Sequence, residues 1–357
     1  MAGFNVIAMA ADDECSKRLT AEVSVSFIPL PMKSDSTRIR EDISLFFRYL
    51  NIYRQKRPVV TLHINNKPNI YGSIAASLLG IPAISNITGL GVVAEKKGIM
   101  KAIVYGLYRL AFRSSRAFVF FQNKDDQDFF LHHRLVTESK TRVIPGSGVD
   151  TEKFSPKHEQ NKKQLLNTTV FLYNGRLVIS KGIELFIEAA RVIKRNYPQT
   201  SFLIIGEHDP DNPVFINKEI LDKAERDGII KYHGLINDVR STIASSDCVV
   251  LPSFYREGVP RALLEAASMG KPLIAANSPG TREPVDNGIN GYLVIPESLE
   301  SLVDAMSRFM EQSLEQRTKM GRASRMIAIE RFSDTIVLNA YLEEIQRIAR
   351  EGHSYAH

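Results

Sequence analysis

Cys248-Val249-Val250-Leu251-Pro252-Ser253-Phe254-Tyr255-Arg256-Glu257-Gly258-Val259-Pro260-Arg261-Ala262-Leu263-Leu264-Glu265 reads as a buried strand, a loop and the first turns of a helix. Pro260 suits a helix start, where its missing N–H is one of the groups that lack an intrahelical partner anyway. Gly258 lets the backbone approach a ligand closely. Such a helix presents free N–H groups and the positive end of its dipole, a setting for an anion such as a diphosphate. Glu257 approaches from the loop, and Glu265 leans back toward the same end of the helix. Paired carboxylates accept hydrogen bonds from sugar hydroxyls; the plainer alternative for the pair is a helix cap and a solvated face.

A second segment of the same kind lies upstream. After Val170–Tyr173 comes Asn174-Gly175-Arg176-Leu177-Val178-Ile179-Ser180-Lys181-Gly182, a glycine-flanked turn with two cations ahead of a helix. An Arg fork grips two phosphate oxygens and a Lys adds a compact charge, which suits a leaving group on which negative charge builds. Gly206, after Phe202–Ile205, and Leu235, after Ile229–Tyr232, end two further strands and are candidates for a nucleotide-base pocket.

Outward from these segments, short β-type runs alternate with amphipathic stretches, the pattern of parallel α/β layers. A first series holds strands at Phe4–Met9, Val59–His63, Ala83–Ile87, Ala117–Phe121 and Thr141–Ile144. Helices are expected between them at Ile43–Arg54, Ile70–Leu79, Lys97–Phe112 and Asp125–His132. The second series begins at Val170 after the polar stretch Lys153–Asn167. The expected units are residues 1–150, 151–334, and a terminal helix with its tail over 335–357, and ligands of such open sheets bind at the carboxyl ends of the strands.

At 357 residues with 44% hydrophobic content, the chain can bury two ordinary cores, which excludes a disordered or fibrous class. Cys15 and Cys248 lie in unlike settings, so no disulfide framework is expected and the pattern fits a reducing cytosol. Met1 leads at once into Phe4–Ile7 and then Asp12-Asp13, with no signal-peptide pattern. The first 150 residues hold 20 Lys and Arg against 13 Asp and Glu, and the remainder 26 against 27. That asymmetry suits a phosphate-rich partner or an anionic membrane surface.

Gly175-Arg176-Leu177 with Lys181-Gly182, the Glu257 to Glu265 segment and Ser278-Pro279-Gly280-Thr281-Arg282-Glu283 together resemble the family 4 glycosyltransferases of the GT-B fold. Val143–Phe154 is similar to that family's linker between domains. Lys67–Ser73 and Thr88-Gly89-Leu90-Gly91 resemble bacterial members that extend polyprenyl-diphosphate-linked sugars. The resemblance implies two Rossmann-like, doubly wound domains facing a cleft, and a retaining, metal-independent hexosyl transfer from a nucleotide diphosphate sugar, UDP-linked, to a lipid-linked glycan. It implies that Arg176 and Lys181 hold the diphosphate beside Gly175, that Glu265 holds the ribose, and that Glu257 with Gly258, Val259 and Pro260 holds the donor sugar. Family members begin with a strand, a glycine loop and a helix; here Gly3–Ala8 matches the second strand of that pattern, so the first β-α unit is expected to be lacking.

No cofactor or metal is expected, and Asp209-Pro210-Asp211 reads as a turn rather than a metal motif. His63 either enters the cleft or makes a structural hydrogen bond at a strand end. His132 and His133 do not share a helix face, which argues against a metal role. Lys97–Phe112 mixes apolar and basic residues and either docks on anionic lipid at the inner face of a cell membrane or faces the core. Nucleic acid is not an expected partner, because no aromatic platform accompanies the basic residues. Two other readings stay open: a shortened, non-catalytic sugar-nucleotide-binding protein or partner subunit, and a nucleotide-sugar epimerase of the same fold.

Overall fold

The structure, a computed structural model, describes residues 3–23, 25–31, 39–90, 98–156 and 168–354. In the first part, strands β1 (Ile7–Ala10), β2 (Ser26–Pro29), β3 (Thr61–Ile64), β4 (Ala83–Ile87), β5 (Ala117–Phe121) and β6 (Thr141–Val143) are all parallel to their neighbours. Helices α1 (Glu14–Glu22), α2 (Ile39–Lys56), α3 (Ser73–Leu78), α4 (Gly98–Phe112) and α5 (Lys124–His132) connect them. The strand Ser26–Pro29 and the helix Glu14–Glu22 had no counterpart among the expected elements. Lys97, expected to begin the amphipathic helix, lies outside the described residues, as does 157–167 of the polar stretch.

The strands of this half form two sheets rather than one, β1-β2 and β3-β4-β5-β6. A doubly wound sheet has the order 3-2-1-4-5-6. Sheet β1-β2 corresponds to the 3-2 side of that order and β3-β4-β5-β6 to the 4-5-6 side with one further strand, and among the described residues no strand occupies the central position between them. Both sheets share α2 and α3 as a helical layer, through a core that includes Leu30, Leu45, Tyr49, Tyr53 and Ala76 with Met9 against it. On β3, Leu62 and Ile64 remain 49% and 54% exposed, so an apolar strand stands at an open edge.

His63, between them, is buried. Its Nε2 meets Tyr53 Oη at 2.7 Å and its Nδ1 meets Ser73 Oγ at 2.9 Å. Burial lowers its pKa to about 3, which keeps the ring neutral. The cleft-facing alternative for His63 is therefore overturned: the imidazole points into the α2–α3 layer. The adjoining helix is corrected too, since it begins as a π-turn at Pro68–Gly72 before α3. A side chain at Gly72 would sit 2.6 Å from His63 Nε2, so glycine is what lets this turn close over the ring.

The second part carries β7 (Thr169–Asn174), β8 (Thr200–Ile205), β9 (Lys231–Tyr232), β10 (Cys248–Leu251), β11 (Leu273–Ala276) and β12 (Gly291–Val294). Its helices are α6 (Ile183–Asn196), α7 (Lys218–Arg226), α8 (Arg240–Ser245), α9 (Arg261–Ser268), α10 (Leu299–Glu311), α11 (Leu314–Phe332) and α12 (Asp334–Ser354). The sheet runs β12-β11-β10-β7-β8-β9, all parallel, the complete doubly wound order with β7 and β10 at its centre. Phe171 and Phe202 stack at 5.4 Å on adjacent strands, with Phe186 of α6 edge-on to Phe202. Each fully buried ring of this kind contributes about 2–3 kcal/mol.

The final helix does not stay with this sheet. Val337, Ala340 and Ile348 of α12 pack on Ile84, Phe120 and Ile144 of the first half. A parallel bridge between Val149 and Ser333 ties the two crossings side by side.

Candidate active site

The order of the second sheet reverses between β7 and β10, and the two segments singled out from the sequence leave those two strands at their carboxyl ends. Crevices form there in open α/β sheets because the connections diverge to opposite faces. A cavity of about 350 Å³ opens at this point, lined from the second half by Gly175, Lys181 and Glu257 to Arg261, and from the first half by Thr88 and Gln122. The cavity therefore lies between the two domains.

Lys181 Nζ donates to Glu257 Oε2 at 2.9 Å across 76 residues of sequence, and Ser253 Oγ donates to Glu257 Oε1 at 2.8 Å. Both partners are mostly buried, with side chains 17% and 13% exposed. Glu257 does not cap α9, whose N-cap is Pro260 with no side-chain bond, so the plain capping alternative is overturned for this residue. Gly182, in the left-handed region at φ 75°, directs the chain from Lys181 into α6, and a side chain there would meet the Pro252 carbonyl group.

Four other expected site residues do not line the cavity. Arg176 is exposed at the end of β7. Glu265 lies within α9, largely buried, and accepts from Arg261 at 3.4 Å; burial raises its pKa and Arg261 opposes the rise. Gly206 backs the site, since a side chain on it would overlap the Gly175 carbonyl, and its N–H donates to Gly234 O at 2.9 Å. Leu235 is 72% exposed beyond it. Asp209-Pro210-Asp211 is a turn, with Asp211 N donating to Asp209 Oδ1 at 3.2 Å.

From the first half come Thr88, quoted above only for its family resemblance, and Gln122, Asp125 and Asp126, which sequence reading did not single out. Gly258 N donates to Thr88 O at 2.8 Å and Val259 N donates to Gln122 Oε1 at 3.2 Å. Arg256 Nη2 meets Asp126 Oδ1 at 3.4 Å, and Arg282 pairs with Asp125. Asp126 is buried, which pushes its pKa up to about 6 against the opposing pull of Asn123 and Arg256. The available signal was the polar pair Gln122-Asn123 closing the otherwise apolar Ala117–Phe121, at the carboxyl end of a strand.

Comparison with known proteins places this geometry. Residues 154–326 match the family model of glycosyl transferases group 1. The chain is 30% identical over 305 residues to the UDP-Gal:alpha-D-GlcNAc-diphosphoundecaprenol alpha-1,3-galactosyltransferase of Escherichia coli, covering 83% of this chain and 77% of that one. It is 26% identical over 298 residues to the N,N'-diacetylbacillosaminyl-diphospho-undecaprenol alpha-1,3-N-acetylgalactosaminyltransferase of Campylobacter jejuni, covering 80% and 76%. Among solved structures, a glycosyltransferase from Rickettsia africae superposes with a TM-score of 0.77 at 21% identity, over 97% of this chain and 90% of the other. Anabaena HepE in complex with UDP-glucose gives 0.73 at 20%, over 98% and 91%. The 30% identity to the Escherichia coli enzyme over most of both chains, with the family match in the second half, makes this protein a glycosyltransferase and a member of the group 1 glycosyl transferases, and the solved structures share its GT-B fold.

Proposed function

We propose that this glycosyltransferase moves a hexose or N-acetylhexosamine from a UDP-linked donor to a polyprenyl-diphosphate-linked glycan, with retention and without a metal ion, in surface polysaccharide or glycan assembly. The single observation that carries the reading is the Lys181–Glu257 pair at the sheet's reversal point, beside the N-terminus of α9. Lys181 supplies a compact positive charge where a diphosphate would lie, and the first turn of α9 adds its dipole. Glu257, fixed by Lys181 and Ser253, is placed to accept from sugar hydroxyls. Arg176, exposed beyond the end of β7, is assigned with Lys181 to the diphosphate, and Glu265, within α9, to the ribose, on the family resemblance of their motifs. Transfer joins the acceptor hydroxyl oxygen to the anomeric carbon as the bond to the phosphate breaks; the departing UDP takes that bond's electron pair, and its phosphate oxygen accepts the hydroxyl proton. The acceptor class is supported by the names of the Escherichia coli and Campylobacter jejuni relatives, both acting on undecaprenyl-diphosphate-linked sugars.

A lipid-linked acceptor places the enzyme at a membrane, cytoplasmic side in this reading. Among the described residues no helix is long and apolar enough to cross one. Helix α4 supports surface contact instead. Tyr105, Tyr108 and Phe112 are buried, yet Ile99, Ile103 and Leu110 on the outward face are 81%, 50% and 48% exposed, with Arg109 and Arg113 beside them.

The test is to incubate the chain with UDP-hexoses and UDP-N-acetylhexosamines and a short polyprenyl-diphosphate N-acetylglucosamine, with a chelator present, and to follow product mass and anomeric configuration. Lys181→Ala is expected to lower kcat about 100- to 1000-fold, the loss usual for one preorganised charge-stabilising donor. A folded protein that needs a divalent ion, or a Lys181→Ala variant with undiminished turnover, refutes the reading.

A further inference from the structure

The loop that ends at Pro260 is held by the opposite domain. Gly258 N donates to Thr88 O, Val259 N to Gln122 Oε1, and Asn123 Nδ2 to Glu257 O at 3.4 Å, so three consecutive loop residues bond to the carboxyl ends of β4 and β5. The approach is backbone to backbone. A side chain on Gly89 would lie 2.6 Å from the Glu257 carbonyl carbon, and one on Gly146 would lie 2.8 Å from Val259 Cβ. One on Gly258 would overlap Gln122 Oε1. Gln122 is itself 6% exposed and set from behind: its Nε2 faces Asn86 Oδ1 at 3.5 Å, and Asn86 Nδ2 donates to Tyr341 Oη at 2.7 Å on α12.

We infer that Gln122 is a positioning residue for transfer: its carboxamide, with the Thr88 carbonyl, fixes the Glu257–Pro260 loop in the shape that holds the donor sugar, and does so only while the two domains are closed. The inference rests on the reading of that loop as the donor-sugar holder. Closure gives two adjacent loop N–H groups their acceptors, and opening removes both at once. Buried N–H groups strongly demand a partner, so the loop's shape and the domain arrangement are coupled. The Arg256–Asp126 and Arg282–Asp125 pairs flank the same contact and close it on either side.

Five variants test this. Gln122→Met keeps the length and removes the acceptor, Gln122→Glu keeps an acceptor oxygen, and Gly258→Ala and Gln122→Ala are made singly and together. UDP release from a panel of UDP-hexoses and UDP-N-acetylhexosamines, UDP affinity by calorimetry, and hydrogen exchange of the Val259 amide are measured on the whole chain. Gln122→Met is expected to lower kcat about 10- to 100-fold, the scale of one unpaired buried donor. UDP affinity should hold within about threefold, because the nucleotide is gripped elsewhere, and Val259 exchange should accelerate; Gln122→Glu should recover part of the turnover. Gly258→Ala should also slow turnover, and adding Gln122→Ala should restore some of it by clearing the overlap. Unchanged Val259 exchange in Gln122→Met overturns the inference whatever the turnover, as do losses of kcat and UDP affinity in equal measure or strictly additive effects of the two alanines. Accelerated exchange in a protein that turns over none of the donors keeps the contact, refutes its role in transfer, and refutes the donor-site reading with it.

Discussion

Asp126→Asn is expected to make the protein more stable at pH 7.5. Asp126 is wholly buried at the first turn of α5, where Asn123 Nδ2 donates to it and Arg256 reaches it from the other domain. Burial outweighs those partners and raises its pKa from 3.8 to about 6, with Asp125 adding to the rise. The folded protein then holds this proton more tightly than the unfolded chain does. The stability linked to it is full below pH about 4 and is lost as pH rises through about 6. A difference of about 2 pH units corresponds to about 3 kcal/mol. Asparagine keeps the neutral shape and its acceptor at every pH, and the attraction of Arg256 for the charged form is already contained in the net rise. Arg256 retains the Phe129 ring at 5.6 Å. The net expectation at pH 7.5 is about 2–3 kcal/mol in favour of the variant, or several degrees in melting temperature. The chain has no tryptophan, so far-ultraviolet circular dichroism is the readout, with wild type and variant melted from pH 4.5 to 8. The difference profile cancels the other carboxylates. Parallel profiles, or a variant destabilised equally at both ends, would refute the reasoning.

Glu265→Ala should weaken UDP binding with a smaller effect on kcat, whereas Arg176→Ala should depress turnover more than binding; calorimetry and steady-state kinetics on the same samples separate the two, and negligible effects from both remove these residues from the site. Gly182→Ala, at φ 75° and against the Pro252 carbonyl group, should cost about 2–4 kcal/mol in chemical denaturation and reduce activity by displacing Lys181. Ile103→Glu on the outward face of α4 should leave the fold intact and lower co-sedimentation with anionic vesicles several-fold, and equal sedimentation would count against the membrane contact.

Much of the second half was legible in the residues because local order and tertiary environment agree there. Val170–Tyr173 and Cys248–Leu251 are apolar runs of the kind that fill the centre of a parallel sheet, and both are central strands. Ser26–Pro29 escaped because it is short, opens on a serine, closes on a proline and is only half-buried. Gly291–Val294 escaped because its glycine is needed where a side chain would overlap the Leu273 carbonyl, and that closeness lies between strands, not along the chain. The candidate site was legible only as two half-sites. Nothing local in Lys181 or Glu257 announces a bond across 76 residues, and nothing in Gln122 announces Val259, since both pairings depend on how separate loops converge. The histidine ambiguity has the same origin: the partners of His63 are a tyrosine ten residues before it and a serine ten residues after.

The return of α12 to the first sheet sets an order of assembly on the ribosome. Ile84, Phe120 and Ile144 emerge first, and Val337, Ala340 and Ile348, which cover them, follow only after the whole second sheet has been made. At ordinary rates of synthesis, about 10–40 s separate Ile144 from Ile348. Throughout that interval the second half can complete its own sheet, while one face of the first stays bare and open to chaperones or to the wrong neighbour. Of the two halves, the one translated first is therefore completed second, and a stop codon near residue 334 would damage the first half more than the second.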